Sequence, residues 1–457
     1  MFQFIYNSSP IFIQNIIISL YGLKLKYLRF YGGYNKTLKS LLLSQYYTEK
    51  QILDLQNSKL KKLIKDSYEF IPHYTSLLDE KKIKPEDIDI HNFTKYFPIL
   101  QKDEVRSHPA SFTSSKKTLG KTIKINTSGT SGSPLNVLTS KNAIQENYAF
   151  FARYLLNCGV KIGQPSVTFA GRIIVPKAQK KPPFWRKNYS MNNTLFSSYN
   201  ISEDTIPSYI KELDRIQPRF IDTYPSALFE IAHFIVKNNI KHSIKPIAII
   251  TSSETLLDSQ RKIIEQAFDT KIYDHYGSAE MSAFITQCRE GNYHINPDFG
   301  IVEILDSQGN EVKEGEVGNI VCTGFVNRKM PFIRYSIGDS AKYSTKSCAC
   351  GSHFHLIDSI EGRTDDLLIL RDGRKIGRLD PVFKGLKSIK ETQIVQVSLD
   401  KISVSIVKES DYDDEQNKIL IRELKKRVGN DIDVTINFVN EIQRTKSGKF
   451  RAVISEL

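Results

Sequence analysis

The sequence predicts a two-domain protein: a large α/β domain with a β-rich subdomain, followed by a small α+β domain. Three observations lead to this fold class. Between residues 106 and 290, short apolar runs alternate with segments of helical periodicity, which is the pattern of an α/β core. From 291 to 364 the pattern changes to short strands separated by glycine turns. Residues 365–457 then form a segment with the pattern strand, strand, helix, strand.

The first 105 residues are expected to be mainly helical, because apolar residues such as Ile52, Leu60 and Leu63 recur at helical spacing. Before them, residues 10–21 form an apolar stretch that is shorter than the roughly 20 residues needed to cross a bilayer. Two interpretations stay open for it. An amphipathic helix could touch a membrane surface, giving at most peripheral contact, or the helix could pack on its own domain, which we favour.

The α/β core is predicted as three buried strands and four intervening helices. The run at residues 246–251 is apolar almost throughout, as expected of a parallel strand covered on both faces. The strands are predicted near 166–170, 219–224 and 246–252, and the helices at 140–157, 204–216, 226–239 and 256–268.

Charge and cysteine content narrow the classes of function. The formal net charge of +14 fits nucleic acid, anionic lipid or an anionic substrate. The lysines are spread along the chain and no nucleic-acid motif is visible, so we expect no nucleic-acid partner. Five cysteines in 457 residues are too few for a disulfide scaffold, which predicts a reducing, cytoplasmic compartment.

One loop has the composition of a phosphate site. Its glycines let the backbone approach a polyanion and its hydroxyls add uncharged donors. No Gly-Lys-Ser/Thr follows it, so it is not a P-loop, and by composition alone such a loop is more often a flexible connector. Its residues are Thr127, Ser128, Gly129, Thr130, Ser131 and Gly132.

Four further segments follow this loop in order, at residues 276–280, 334–339, 361–366 and 444–449. Together the five resemble the motifs of the adenylate-forming superfamily, which comprises acyl-CoA synthetases, peptide-synthetase adenylation domains and luciferases. Residues 71–74 and 222–226 resemble the phenylacetate–CoA ligases, and more closely their relatives encoded with capsular polysaccharide genes. The resemblance implies a large N-terminal adenylate-forming domain (1–364) and a small mobile C-terminal domain (365–457).

The resemblance also implies a reaction and the residues that perform it. ATP would activate a carboxylic acid as an acyl-adenylate, with Mg²⁺ held by Glu280 and developing charge stabilised by Lys449. Asp339 would accept hydrogen bonds from the ribose hydroxyls, and Asp365 would be the hinge about which the small domain rotates. Further ATP-binding residues, besides the loop, would be His275, Tyr276, Gly277, Ser278 and Arg363. For His275 and Tyr276, core packing is the alternative.

The acid and the acceptor stay open at this point. Tyr224, Pro225 and Ser226 would line the acyl pocket, although a turn before a helix is the alternative. An amino-acid substrate would need an acidic partner, for which Asp222 and Glu254 are candidates. CoA, a carrier protein or an amine could accept the acyl group. The resemblance favours surface polysaccharide modification, with aryl-acid CoA ligation in catabolism as an alternative, and is compatible with a homodimer.

A second class of function is a nucleotide-binding interaction protein without turnover. Only Ala279 favours it, because the superfamily commonly has Thr or Ser at that position. A missing hydroxyl there could slow adenylation.

Four residues form a candidate structural zinc site, since three thiolates and one imidazole make a closed tetrahedral set. Some phenylacetate–CoA ligase relatives carry a similar cluster. His353 and His355 are rival ligands, free reduced cysteines are the alternative, and Cys158 and Cys322 are expected to be ordinary buried thiols. The four predicted ligands are Cys288, His294, Cys348 and Cys350.

Overall fold

The structure is a computed structural model of the 457-residue chain. It describes residues 6–126, 135–171, 173–176, 179–363, 368–371, 375–376, 379, 382, 389–410, 412–444 and 450–457. The predicted phosphate loop at 127–132, the hinge residue Asp365 and the predicted catalytic residue Lys449 lie outside these residues. Arg363 is described in its backbone alone.

The N-terminal region is helical, as predicted. Helix α3 begins with a capping box: Thr48 Oγ1 accepts from the Gln51 N–H, and the Gln51 side chain accepts from the Thr48 N–H. One side of α3 buries Leu60, Leu63 and Ile64. The helices are α1 (Ile11–Phe30), α2 (Tyr34–Ser44), α3 (Glu49–Phe70), α4 (Pro72–Glu80), α5 (Phe93–Tyr96) and α6 (Lys102–Ser107), with short 3₁₀ turns at Pro85–Asp87 and Lys117–Leu119.

Helix α1 is longer than the apolar stretch suggested, because it continues from Ile11 to Phe30 over 20 residues. By length and composition alone, this helix could cross a membrane, with a mean hydropathy of 1.2 and 11% of the relevant window buried. One face nevertheless packs on the protein, where Gln14, Ile18 and Gly22 are buried. The favoured interpretation, a helix packed on its own domain, is therefore confirmed for that face.

A twelve-stranded sheet forms the centre of the large domain, in the order β11-β12-β13-β14-β10-β9-β8-β7-β6-β3-β5-β4. Strands β5, β3, β6, β7 and β8 run parallel, and the predicted strands and helices are confirmed to within a few residues. The elements are α7 (Lys141–Asn157), β3 (Ser166–Ala170), β4 (Trp185–Asn188), β5 (Asn193–Ser197), α8 (Ile206–Ile216), β6 (Phe220–Thr223), α9 (Pro225–Lys237), β7 (Ala248–Ser252), α10 (Asp258–Phe268) and β8 (Ile272–Gly277), with a 3₁₀ turn at Tyr189–Met191.

The antiparallel strands continue the same sheet. Strand β8 pairs with β7 on one edge and with β9 on the other, so the hydrogen-bond ladder runs without a break into the region predicted as a β-rich subdomain. The antiparallel part begins at Phe284, before the predicted border at 291. Its strands are β9 (Phe284–Gln287), β10 (Tyr293–Ile295), β11 (Gly300–Leu305), β12 (Val317–Gly324), β13 (Tyr335–Tyr343) and β14 (Leu356–Arg363).

A separate hairpin carries the predicted phosphate loop between its strands. Strand β1 (Thr122–Asn126) pairs antiparallel with β2 (Asn136–Ser140), with Asn126 opposite Asn136. The strand-like character predicted on both sides of the loop is thus confirmed.

The C-terminal domain has its own four-stranded sheet, ordered β19-β18-β17-β20. Helix α11 begins at an Asp413 cap, whose Oδ1 accepts from the N–H groups of Glu415 and Gln416. The predicted strand, strand, helix, strand pattern is present, but the short strands β15, β16 and β20 were missed. The elements are β15 (Leu368–Ile369), β16 (Lys375–Ile376), β17 (Ile389–Ser398), β18 (Lys401–Lys408), α11 (Asp414–Val428), β19 (Asp433–Phe438) and β20 (Val453–Ser455).

Candidate active site

The candidate site lies at the carboxyl ends of the parallel strands β6, β7 and β8. These ends are neighbours, because Thr223 pairs with Thr251 and Thr251 pairs with Asp274. Ligands of open α/β sheets bind at this edge. The chain leaves it through the predicted acyl-pocket residues, beginning with Tyr224, and through the motif that begins at Tyr276. The fold therefore brings two separate sequence predictions to one edge.

Tyr276 and Asp339 are in direct contact: the Tyr276 hydroxyl donates to Asp339 Oδ2 over 2.5 Å. Asp339 lies on β13, and its backbone partner on β14 is Arg363. Burial, followed by the charge of Asp339, raises the pKa of Tyr276 well above its ordinary value, so this phenol stays a neutral donor. Three residues predicted to bind ATP, from three distant motifs, thus meet in the fold.

Glu280 is buried in the turn after β8, where its Oε1 accepts from the Tyr335 hydroxyl over 3.3 Å. Burial raises the pKa of Glu280, and the charge of Lys102 opposes that shift. The turn lies tightly on β12. A Cβ at Gly324 would come within 2.8 Å of the Ser282 Cα, so glycine is needed there for the turn to approach.

His275 occupies a different environment from its neighbour. Its ring lies among those of Phe151, Tyr154 and Phe284, with centroids 5.3–5.7 Å apart, and burial lowers its pKa to about 4. Successive residues of a strand point to opposite faces, so His275 points away from the Tyr276–Asp339 contact. For His275 the described contacts are those of core packing, the alternative left open by the sequence.

Glu254 lies two residues beyond β7 and accepts three hydrogen bonds. They come from the Ser226 N–H and hydroxyl, both at 3.1 Å, and from the Phe450 N–H at 2.7 Å. Burial raises the pKa of Glu254, and these hydrogen bonds oppose the shift. The sequence suggested Glu254 as a partner for a substrate amine. The structure instead shows it joining the start of α9 to the residue that follows Lys449, a role the sequence did not indicate.

The other acidic candidate, Asp222, lies within β6, and burial raises its pKa to about 6. An ammonium group beside Asp222 would lower this pKa again, because an opposite charge favours the ionised carboxylate.

The two described ends of the C-terminal basic loop are held in place. Arg444 forms an ion pair with Glu391 and its guanidinium lies 4.6 Å from the centre of the Phe450 ring. Phe450 in turn donates to Glu254. Phe450, which follows the predicted catalytic lysine in the sequence, therefore lies at the sheet edge that carries Glu254.

Arg334 is the first residue of the motif at 334–339, and its role here is structural. The buried guanidinium donates to both carboxylate oxygens of Glu303 and to the carbonyls of Thr94 and Phe97. It ties the helical N-terminal region to the sheet just before the strand that carries Asp339.

The predicted metal ligands come together in space. Cys288, His294, Cys348 and Cys350 each offer one ligand atom, all within 4.8 Å of one another. The Sγ atoms of Cys288 and Cys348 are 3.6 Å apart, and Cys350 Sγ is 3.4 Å from His294 Nε2. Zinc–sulfur bonds of about 2.3 Å at a tetrahedral angle would place two sulfurs roughly 3.8 Å apart.

The contact that His294 makes through its second ring nitrogen also suits a metal ligand. Its Nδ1 lies 3.1 Å from the Phe354 carbonyl, and a proton on Nδ1 leaves Nε2 free to coordinate. Among the described residues the cluster consists of those four, so His353 and His355 are not members. Cys158 and Cys322 are buried free thiols, as predicted.

Comparison with known proteins identifies relatives of this chain and structures with the same fold. A family model described as the CapK C-terminal domain matches residues 368–456. Protein CapK of Staphylococcus aureus is 31% identical, with 100% of both chains covered. The phenylacetate-coenzyme A ligase of Thermus thermophilus is 23% identical, covering 88% of this chain and 95% of its own. A crystal structure of 2-hydroxyisobutyryl-CoA ligase, in the postadenylation state with R3-HIB-AMP, matches with a TM-score of 0.70 at 18% identity, covering 90% and 91%.

Proposed function

This chain belongs to the CapK family of adenylate-forming, ATP-dependent ligases, and we propose that it makes an acyl-adenylate for surface or capsular polysaccharide modification. The observation that carries the proposal is the meeting of Tyr276, Asp339 and the Arg363 backbone beside buried Glu280. Polar groups from three motifs converge there, at the sheet edge where α/β folds bind ligands.

In the proposed reaction a carboxylate oxygen of the acid attacks the α-phosphorus of ATP. The bond between the α-phosphorus and the bridging oxygen breaks, and pyrophosphate leaves. The site must offset the repulsion between two anions, for which Lys449 is the proposed cation. Asp339 would accept from the ribose hydroxyls, with the Tyr276 hydroxyl fixing its carboxylate. Glu280 would hold Mg²⁺, which neutralises phosphate charge when bound.

The acyl group would then pass to a thiol or an amine. A thiol acceptor, CoA or a carrier-protein thiol, is supported by the likeness to the phenylacetate–CoA ligases, and an amine acceptor by the likeness to an amide bond synthetase of the same fold. The polysaccharide role rests on the likeness to CapK, which is higher than the likeness to the phenylacetate–CoA ligases. Catabolic aryl-acid CoA ligation is the alternative. The predicted cytoplasmic location and homodimer stay predictions.

We also propose that the Cys/His cluster holds one structural Zn²⁺. The spacing of its sulfur and nitrogen atoms and the Nδ1 contact of His294 support this. With four protein ligands the site is closed, so the ion would brace the β9–β10 turn against the segment before β14.

The test is pyrophosphate release from ATP across a panel of aryl, fatty, hydroxy and amino acids, followed by mass spectrometry of products formed with CoA or amines. We expect one acid class to release pyrophosphate, and Glu280→Gln to abolish the release. The control is Glu290→Gln, which changes an exposed acidic residue on the turn between β9 and β10. A protein that binds ATP but releases pyrophosphate with no acid would favour the interaction protein without turnover.

A further inference from the structure

Helix α1 has an exposed apolar stripe on the side facing away from the protein. Its members recur at intervals of four, four, three and four residues, which keeps them on one face of the helix. Phe12 and Leu20 are each 63% exposed, and exposed Tyr31 extends the same line just past the helix end. We call this the outer stripe; it consists of Phe12, Ile16, Leu20, Leu23 and Tyr27.

The opposite face of α1 is fixed to the domain by polar contacts. Buried Arg186 donates from Nε to Gln14 Oε1 over 2.5 Å. The helix backbone passes so close to Asn188 that a Cβ at Gly22 would lie 2.3 Å from its side chain. A helix crossing a bilayer would lose these partners and expose Gln14 to lipid, at a substantial free-energy cost. The outer stripe is therefore the face available to a partner.

The chain around the outer stripe is basic. Residues 1–48 contain no acidic residue. Lys24 and Lys26 are exposed, and helical geometry places them on opposite sides of the stripe. Lys141 adds a third cation, with its Nζ 3.8 Å from the centre of the Tyr27 ring. The basic residues of 1–48 are Lys24, Lys26, Arg29, Lys36 and Lys39.

We propose that the outer stripe docks the protein on the surface of an anionic lipid bilayer, with α1 lying in the plane of the interface. Apolar residues flanked by lysines, with tyrosines at one end, are the pattern of an interfacial helix. The apolar side chains enter the headgroup boundary, and the lysine ammonium groups reach lipid phosphates. A second copy of the chain fits less well, because the lysines on both sides of each stripe would face one another.

The test is sedimentation of the full chain with phosphatidylcholine vesicles that contain or lack about a third phosphatidylglycerol. Binding is expected to the anionic vesicles and to weaken as salt rises, because surface charge attraction is screened. Lys24→Gln with Lys26→Gln should weaken it by about 5-fold per lysine. Phe12→Glu with Leu20→Glu should abolish it.

Leu399→Glu, which changes an exposed leucine of the C-terminal domain, is the matched control and should bind like the parent. The thermal unfolding temperature and the pyrophosphate release of each variant should stay at the parent values. These two measurements distinguish loss of docking from loss of folding. The proposal fails if anionic vesicles do not bind the parent chain, or if the Phe12/Leu20 variant still binds. It also fails if sedimentation in solution shows a dimer that this variant converts to monomers.

Discussion

The backbone N–H of Phe450 donates a 2.7 Å hydrogen bond to Oε1 of Glu254. This contact fixes the residue after Lys449 to the carboxyl end of β7, where the Ser226 N–H and hydroxyl bind the same carboxylate. Phe450 and the predicted acyl-pocket residue Ser226 therefore share one carboxylate. Such an anchor suits the proposed half-reaction, in which Lys449 would lie beside the acid and ATP.

Removal of that anchor should impair adenylation selectively. Glu254→Ala leaves three buried donors without an acceptor, and each hydrogen bond to a charged group contributes about 1.5–3 kcal/mol. We expect ATP–pyrophosphate exchange to fall by about 10–100-fold, with Glu254→Gln intermediate. The rate of acyl transfer from pre-formed acyl-adenylate should change little. This result would distinguish a residue that positions the lysine from a substitution that disturbs the whole fold. Exposed Glu203→Ala is the control, and an equal loss in both half-reactions would contradict this role.

Loss of the Tyr276 hydroxyl should weaken ATP binding. Tyr276→Phe removes the donor that fixes Asp339, at a cost of about 1.5–3 kcal/mol. The KM for ATP should therefore rise by roughly 10-fold or more, with a smaller change in kcat. Tyr293→Phe is a matched control, because its hydroxyl binds Asp274 instead. An unchanged KM for ATP in Tyr276→Phe would argue against a ribose site at Asp339.

Zinc should accompany the folded protein at one ion per chain. Cys350→Ser removes one of four ligands and should abolish stoichiometric zinc, measured by elemental analysis, and lower the Tm. Structural zinc sites contribute directly to folding free energy. Cys322→Ala changes a buried thiol outside the cluster and should keep its zinc. A metal-free parent protein with an unaltered Tm on chelation would show that these are free thiols.

Stability should depend on pH through Asp274. Burial raises its pKa to about 6, above the value of about 3.9 in an unfolded chain. Between these values the folded state binds more protons, so this group lowers stability as pH rises. Relative to Asp274→Asn, the parent should lose about 2 kcal/mol in its free energy of unfolding from pH 4 to pH 7. Denaturant titrations of both proteins measure the difference, and parallel pH profiles would refute it.

The fold could be predicted closely from the sequence where pattern and packing agree. The strand at 166–170 and the helices at 140–157 and 256–268 could be predicted from the spacing of apolar residues alone. The sequence did not show that the β-rich region continues the parallel sheet, because strand pairing across β8 and β9 is a long-range property. The length of α1 was underestimated, since Lys24, Lys26 and Arg29 interrupt its apolar run while helix geometry leaves them at its surface.

The site was predicted in its residue types more than in its contacts. Tyr276 and Asp339 were both predicted to bind ATP, but the hydrogen bond between them was not predicted. The four members of the Cys/His cluster were predicted from their residue types. Glu254 was missed as an anchor because its partners, Ser226 and Phe450, are distant in sequence and both donate from the backbone. His275 belongs to the same motif as Tyr276, but successive side chains of a strand point to opposite faces of the sheet, so the two residues lie on different faces.

The most direct test of the account is ATP–pyrophosphate exchange dependent on a carboxylic acid, comparing Lys449→Ala with Lys446→Ala. Both changes remove one lysine from the same basic loop, so they share its charge and solubility effects. The account predicts that the parent and Lys446→Ala exchange, and that Lys449→Ala loses at least about 100-fold. Exchange that persists in Lys449→Ala, in protein of parental stability, would contradict it.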